Sequence, residues 1–201
     1  DYLFGAPASG ERVKGRITGS EVPFLCEGYR DYHFGPVDIA RDKKPSIDIE
    51  LAEKRLNEKG RTSFSIKPNN EIDFQLPVKL RAYVEVFESG SGRTTRRVKE
   101  KVVYTKPFYI GIKANPTRII RGKKINVKGV LLNPDCTLHK EKELLRWRAY
   151  RVYYRWDYYY YNEFGWFRVK RLIPITPIKG ISAVDGKFEF TLDPIDEYRD
   201  I

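Results

Sequence analysis

Hydrophobic and polar residues alternate with a period of two along most of the chain, and this pattern predicts half-buried β-strands. Between these stretches, Gly, Pro, Asn and Ser recur at short intervals, as is typical of turns. In the first half the pattern predicts six strands: Val13–Thr18, Tyr32–Val37, Ile47–Leu51, Thr62–Lys67, Lys79–Glu88 and Thr94–Tyr104. We therefore expect sheets rather than helices.

Two polar turns indicate where strands end and which strands pair. Ser89-Gly90-Ser91-Gly92 separates the last two strands and predicts a long antiparallel hairpin with one face in water. Ser46–Gly60 carries enough charge for an amphipathic helix, but its first half alternates with period two. We interpret it as a strand that ends in a polar hairpin turn at residues 57–60.

The alternation restarts after Pro107, so the sequence predicts two domains, 1–106 and 107–201, joined by a short extended linker. The second half contains alternating strands that include residues 108–112, 125–131, 144–157, 164–173 and 187–192. Many short strands without intervening helices indicate an all-β fold. We predict two tandem antiparallel β-sandwiches of the immunoglobulin-like kind.

Charge adds little to this prediction. The chain has 38 Lys and Arg against 27 Asp and Glu, a formal net charge of +11. The basic residues are spread along its whole length, which favours the solvated faces of sheets over a nucleic-acid tract. No run of about 18 apolar residues occurs, so the sequence predicts no membrane span in this segment.

The two cysteines, Cys26 and Cys136, fall in different predicted domains, which leaves two free thiols or one bond across the interface as alternatives. Cys136 and His139 have the C-x-x-H spacing of half a zinc site, with Cys26 and His33 as the other half. The second pair has the wrong spacing for zinc. We therefore predict no metal site and no cofactor.

Catalytic motifs are missing from the sequence. No nucleotide-binding glycine loop, HExxH pair or nucleophile elbow occurs, and no acid, base and nucleophile converge in any motif. We predict no catalytic residue and expect that the chain is not an enzyme.

All three tryptophans lie in one unusual segment, Arg146–Arg171, where aromatic residues interleave with arginines. The simplest interpretation is a long hairpin with a turn over residues 157–165 and cation–π pairs across its strands. The alternative is a binding module for single-stranded nucleic acid or a glycan. The candidate surface comprises Trp147, Arg151, Tyr153, Arg155, Trp156, Tyr158, Tyr160, Trp166 and Arg168.

The opening segment carries a family resemblance. Tyr2-Leu3-Phe4-Gly5-Ala6-Pro7-Ala8, then Gly10 and the Val13-x-Gly15 strand, resembles the macroglobulin-like domains of bacterial α-2-macroglobulins. Residues 28–35 and 57–66 resemble the segments that follow in that family, and the Arg146–Arg171 hairpin resembles one in the succeeding domain. The resemblance extends, loosely in places, over nearly the whole chain.

This resemblance implies two consecutive macroglobulin-like sandwiches from a broad-spectrum protease inhibitor of the periplasm or cell envelope. The expected partners are neighbouring macroglobulin-like domains of the same parent chain and, through the whole protein, target proteases; no nucleic acid is expected. Family members often carry a Cys-x-x-Gln thioester, and neither Cys26 nor Cys136 is followed by that glutamine. We expect a segment of a longer protein, whose first sandwich lacks its first strand and whose second lacks its last.

Overall fold

A computed structural model describes residues 7–36, 45–66, 72–89, 92–115, 123–161 and 163–193, with the backbone alone at 115, 157, 159–161, 163–165 and 167–168. Apart from the 3-10 turn Glu27–Tyr29, its regular elements are strands, named here in chain order: β1 Arg12–Glu21, β2 His33–Phe34, β3 Ser46–Arg55, β4 Val78–Phe87, β5 Thr94–Val103, β6 Tyr109–Asn115, β7 Ile125–Leu132, β8 Glu143–Trp147, β9 Tyr150–Tyr161, β10 Glu163–Pro174, β11 Lys179–Ala183 and β12 Lys187–Leu192. Every strand pairing among the described residues is antiparallel. The predicted all-β class is confirmed.

The chain divides into two compact units. The first consists of Asp1–Phe24 and Asp42–Lys106, and the second of Leu25–Arg41 and Pro107–Ile201. The change of unit at Lys106 and Pro107 lies where the sequence predicts a linker. Leu25–Arg41 differs from the prediction, because it belongs with the second unit although its sequence lies inside the first. Within the described residues, no helix is long and apolar enough to span a membrane.

The first unit contains a four-stranded sheet in the order β3-β1-β4-β5. The predicted hairpin is present as β4 and β5, which pair from Val78 with Val103 to Phe87 with Thr94. The polar turn after β3 is also present, and the Asn57 side chain accepts hydrogen bonds from the backbone N–H groups of Lys59 and Arg61. The predicted strand Thr62–Lys67 is wrong over its described part, since residues 62–66 join no strand ladder.

Strand β1 is central in this sheet and buries alternate residues, beginning with the fully buried Val13. Gly15 and Gly19 follow on the same side, and a Cβ atom at either would lie within 3.0 Å of Leu51 or Leu80. The Val-x-Gly pattern therefore lets large side chains from both neighbouring strands pack over β1.

Buried or half-buried carboxylates hold loops at the two ends of β1. Glu11 is 4% exposed, and its Oε2 accepts hydrogen bonds from the backbone N–H and hydroxyl of Ser89, at 2.8 and 2.6 Å. Glu21 Oε1 accepts from the backbone N–H groups of Gln75 and Leu76. These bonds satisfy loop N–H groups that have no strand partner.

The second unit contains a four-stranded sheet in the order β12-β7-β6-β2 and a two-stranded sheet of β11 and β8. The side chains of Phe188, Phe190 and Val127 from the larger sheet line one concave space together with Trp147 and Ile181 from the smaller sheet. The two sheets thus face each other across apolar side chains, as in a sandwich. A tight turn through Asp185 and Gly186, both with positive φ, joins β11 to β12.

Leu25–Arg41 is held on the second unit by three kinds of contact. Cys26 forms a disulfide bond with Cys136, with Cα atoms 5.6 Å apart. Strand β2 pairs with β6, and the Phe34 ring occupies the space over Gly111, where a Cβ atom would be 2.5 Å from it. The predicted strand Tyr32–Val37 is thus reduced to two described residues, and it pairs outside the first unit.

The aromatic hairpin differs from the prediction in two ways. The predicted strand 144–157 is interrupted at Arg148 and Ala149, so that β8 pairs with β11 while β9 pairs with β10. The predicted turn at 157–165 is also wrong, because β9 and β10 continue to Tyr161 and Glu163. The interruption has its own hydrogen bonds: Ala149 N–H donates to Thr176 Oγ1, and Ala149 C=O accepts from Ile175 N–H.

We expect the double substitution Cys26→Ser with Cys136→Ser to destabilise the second unit by about 2 to 4 kcal/mol, because the disulfide closes a loop in the unfolded chain. Urea unfolding followed by tryptophan fluorescence measures this, since all three tryptophans lie in the second unit. Reductant should lower the midpoint of the wild type and leave that of the variant unchanged. A wild-type midpoint that does not respond to complete reduction would contradict the expectation.

Gly129→Ala should also destabilise the second unit, by about 1 to 3 kcal/mol, because the new Cβ would lie 1.9 Å from Phe188 Cζ and displace the ring. The matched control is Gly28→Ala in the same unit, where a Cβ meets nothing within 4 Å. Urea midpoints compare the two, and equal midpoints would show that Phe188 relaxes without cost.

Candidate functional site

The predicted surface lies mainly on the two-stranded sheet of β9 and β10. Trp156 is paired with Arg168, and Tyr158 with Trp166, so these four positions share one face of the sheet. Tyr160 lies on the same face by its register with Phe164. The side chains of Tyr160 and Arg168 lie outside the described residues.

Most described side chains of this face, called here the aromatic face, are exposed, and Lys170 is half-buried. Its largest members are Trp156, Tyr158 and Trp166, which are 61%, 57% and 66% exposed. The Tyr158 and Trp166 rings contact each other at 5.3 Å with planes tilted by 60°. The other described members are Tyr150, Val152, Tyr154, Lys170 and Leu172.

The opposite face of the same sheet is more basic. Arg151, Tyr153 and Arg155 lie on it with Arg171, and all four are exposed. Arg151 and Arg155 are therefore separated from Trp156, Tyr158 and Trp166 by the thickness of one sheet, whereas the position of Arg168 lies on the aromatic face. The cation described on the aromatic face is Lys170, whose Nζ lies 5.8 Å from the Tyr154 ring centroid.

Trp147 lies on neither face. It belongs to β8, and its ring stacks on Phe190 at 4.1 Å with an interplanar angle of 18°. Lys179 Nζ lies 5.5 Å from the centroid of the Trp147 ring. The structure thus places Trp147 between the sheets of the second unit, where it serves packing.

The separation of aromatic and basic residues decides what this sheet can bind. A single nucleic-acid strand needs stacking rings and phosphate-binding cations along one groove. Here most described cations lie behind the rings, and the Tyr158 and Trp166 rings are tilted rather than coplanar. The aromatic face is better suited to an apolar surface with a polar rim, as in contacts between domains.

Several basic residues elsewhere form ion pairs on solvated sheet faces. In the first unit Arg16 bonds Asp48, and Glu100 bonds Arg81 and Lys79. Hydrogen bonds from these cations hold the pKa of the Asp48 and Glu100 carboxyls below the usual values. The side chains are exposed, so these pairs add little stability.

The two cysteines form the bond that was one of the two alternatives drawn from the sequence, but the bond lies within the second unit and not across an interface. Cys26 and Cys136 form a disulfide within the second unit, so neither offers a thiolate for zinc or for a thioester. A C-x-x-H zinc half site is therefore wrong for this chain. In the segment 25–36, Asp31 forms an ion pair with Lys113, whose hydrogen bond lowers the pKa of that carboxyl.

Comparison with known proteins defines the family. A model described as the bacterial alpha-2-macroglobulin MG5 domain matches residues 1–104, just over half of the chain. The chain belongs to the bacterial alpha-2-macroglobulin family. An alpha-2-macroglobulin homolog of Nostoc sp. strain PCC 7120 is 28% identical over 86 residues, which are 43% of this chain and 4% of that protein.

Solved alpha-2-macroglobulins share the fold. The native Escherichia coli protein has a TM-score of 0.62 and 18% identity, and the match covers 96% of this chain and 13% of that one. The same protein activated by porcine elastase gives the same TM-score, identity and coverage of this chain, with 17% of its own chain covered. A Salmonella structure reacted with methylamine has a TM-score of 0.52 and 15% identity, covering 96% of this chain and 13% of that one. The predicted macroglobulin-type fold is confirmed, and the chain spans a small part of its relatives.

We expect Trp147→Ala to destabilise the second unit by about 2 to 4 kcal/mol, because it removes a ring stacked between sheets. Trp156→Ala should change stability by less than about 0.5 kcal/mol, because its side chain is mostly exposed. Urea unfolding followed by far-ultraviolet circular dichroism compares the two without relying on tryptophan. Equal losses would contradict the assignment of Trp147 to packing and Trp156 to the surface.

Proposed function

We propose that this chain is a structural scaffold segment of a bacterial alpha-2-macroglobulin-like, broad-spectrum protease inhibitor that traps endopeptidases. The observation that carries the proposal is the family match over residues 1–104, together with fold similarity over 96% of the chain. In this role the segment is not an enzyme. It supplies rigid walls, while cleavage and enclosure of the protease belong to the whole protein.

The contacts within each unit support a rigid role. Ten-residue ladders join β1 to β4 and β4 to β5 in the first unit, with a buried carboxylate holding the β4–β5 turn. In the second unit, a disulfide fixes the segment that carries β2. Long strand ladders and a disulfide make each unit rigid, which favours a scaffold that transmits force over a binding site that changes shape.

The disulfide also supports the proposed location. Disulfides persist in oxidising compartments such as the bacterial periplasm and the cell surface. We therefore place the parent protein in the periplasm, in the cell envelope or outside the cell.

The aromatic face is the proposed contact with a neighbouring macroglobulin-like domain of the same parent chain. A two-stranded sheet is marginally stable by itself, so β9 and β10 gain from a covering partner. The chain covers only 13% and 17% of the Escherichia coli chains that it matches, which leaves ample room for such domains. The nucleic-acid form of the alternative has less support, because the described basic residues lie mostly on the opposite face.

The test uses the whole encoded protein and, separately, this chain. We expect the whole protein to block cleavage of a large protein substrate by elastase or trypsin while a small peptide substrate is still cleaved, because enclosure excludes only large molecules. The isolated chain should block neither substrate at a molar excess. Stoichiometric inhibition by the isolated chain would overturn the scaffold proposal, and lack of any effect by the whole protein would overturn the inhibitor proposal.

A paired substitution tests the aromatic face. In the whole protein, Trp156→Ser with Trp166→Ser should lower the thermal midpoint and the yield of trapped protease if a neighbouring domain covers that face. Arg151→Ser with Arg171→Ser on the opposite face is the matched control and should change neither. Binding of the isolated chain to single-stranded DNA that weakens steeply with salt and depends on these tryptophans would favour the alternative instead.

A further inference from the structure

Three potential metal ligands converge where the chain enters β8. His139, Glu141 and Glu143 are spaced two residues apart in the segment that leads through a bend at Glu141 into β8. One ligand atom from each residue lies within 4.8 Å of the other two. This cluster has no part in the disulfide or in the aromatic face.

The His139 ring is held in one orientation. Its Nδ1 lies 3.0 Å from Asn133 Oδ1, and Asn133 Nδ2 in turn donates to Thr137 Oγ1 at 3.0 Å. Because an amide oxygen only accepts, Nδ1 carries the hydrogen and donates it to Asn133. The ring also packs on Phe108, with centroids 4.6 Å apart. Nε2 is therefore the free nitrogen of the neutral ring.

This nitrogen faces two carboxylates. Nε2 lies 3.4 Å from Glu143 Oε1 and 4.0 Å from Glu141 Oε2. The His139 side chain is 13% exposed, and Nε2 is buried with no hydrogen-bond partner among the described residues. Three electron-rich atoms that converge in this way repel each other unless a metal ion lies between them or Nε2 carries a proton.

The distances suit a small transition-metal ion. Ligands about 2.1 Å from a tetrahedral Zn²⁺ are about 3.4 Å apart, which matches the pair formed by His139 and Glu143. Glu141 Oε2 lies 4.0 Å from Nε2, so Glu141 must move closer by at least about 0.6 Å to reach this ligand spacing, and its side chain is 84% exposed. Imidazole with carboxylate favours zinc over Mg²⁺ or Ca²⁺, which take all-oxygen sets.

We propose that His139 Nε2, Glu141 and Glu143 bind one Zn²⁺ ion, with a fourth position open to water. Asn133 acts from behind the site by fixing the tautomer of His139, as the hydrogen-bond partners of metal-bound histidines do. The ion links β8 to the loop after β7, because His139 N–H donates to Leu131 C=O and Glu143 begins β8. The bound ion stabilises the second unit, because the three ligands converge only in the folded chain.

The test titrates the untagged chain with Zn²⁺ alone in a non-coordinating buffer at pH 7 by calorimetry, with metal content measured after dialysis. We expect one ion per chain, no comparable binding of Mg²⁺, and a higher urea midpoint for the second unit when zinc is bound. Glu143→Gln and His139→Gln should each weaken binding at least about tenfold. Nitrogen-15 spectra of the ring should show the Zn²⁺-dependent shift at Nε2 rather than Nδ1.

Two controls keep the result specific. His33→Gln removes the only other histidine, which is exposed, and Glu27→Gln removes a carboxylate that is 92% exposed in the same unit. Both should bind zinc as the wild type does. Zinc binding that survives in Glu141→Gln with Glu143→Gln would overturn the proposal. So would a folded wild type that binds no zinc and carries only a proton on Nε2.

Discussion

The attachment of Leu25–Arg41 to the second unit is the constraint on which the division of this chain depends. A disulfide, a two-residue ladder and a ring seated over Gly111 fix the segment to β6 and the loop after β7. The chain must therefore leave the first unit after Phe24 and return to it near Asp42. Neither unit is a continuous stretch of sequence. The segment 25–41 of the second unit interrupts the first unit, and the segment 42–106 of the first unit interrupts the second.

The sequence predicted the elements whose causes are local. Period-two alternation identified β1, β3, β4 and β5, and the Ser-Gly turn identified the pairing of the last two. The prediction of strand boundaries failed where residues distant in sequence determine them. Nothing near Ala149 shows that the Thr176 hydroxyl and the Ile175 backbone N–H will form hydrogen bonds with it where the strand is interrupted. The signal for the β11–β12 turn was present in Asp185-Gly186, a dipeptide that favours such hairpins, and the strand before it was missed.

The sequence predicted which residues form the candidate surface, but it predicted only part of their arrangement in space. Alternation along β9 already separates Trp156 and Tyr158 from Arg151 and Arg155, so the two faces follow from the sequence. Trp147 could not be assigned in this way, because its stacking partner, Phe190, lies on a different sheet. The sequence left the bond between Cys26 and Cys136 as one of two alternatives, and it did not show that both cysteines belong to one unit, because a boundary drawn from sequence order placed them in different domains. The family resemblance supplied what the local patterns could not, namely the identity of the fold.

The long separation between the two cysteines has a consequence for how the protein is made. They are 110 residues apart, and ribosomes add about 5 to 20 residues per second, so Cys26 exists for roughly 6 to 20 seconds before Cys136 is synthesised. In that interval residues 42–106 of the first unit are synthesised, while the segment 25–41 still lacks the part of the second unit to which it binds. The thiol of Cys26 is then open to other oxidants and other cysteines. Maturation of this protein is therefore sensitive to the enzymes that form and exchange disulfides in its compartment.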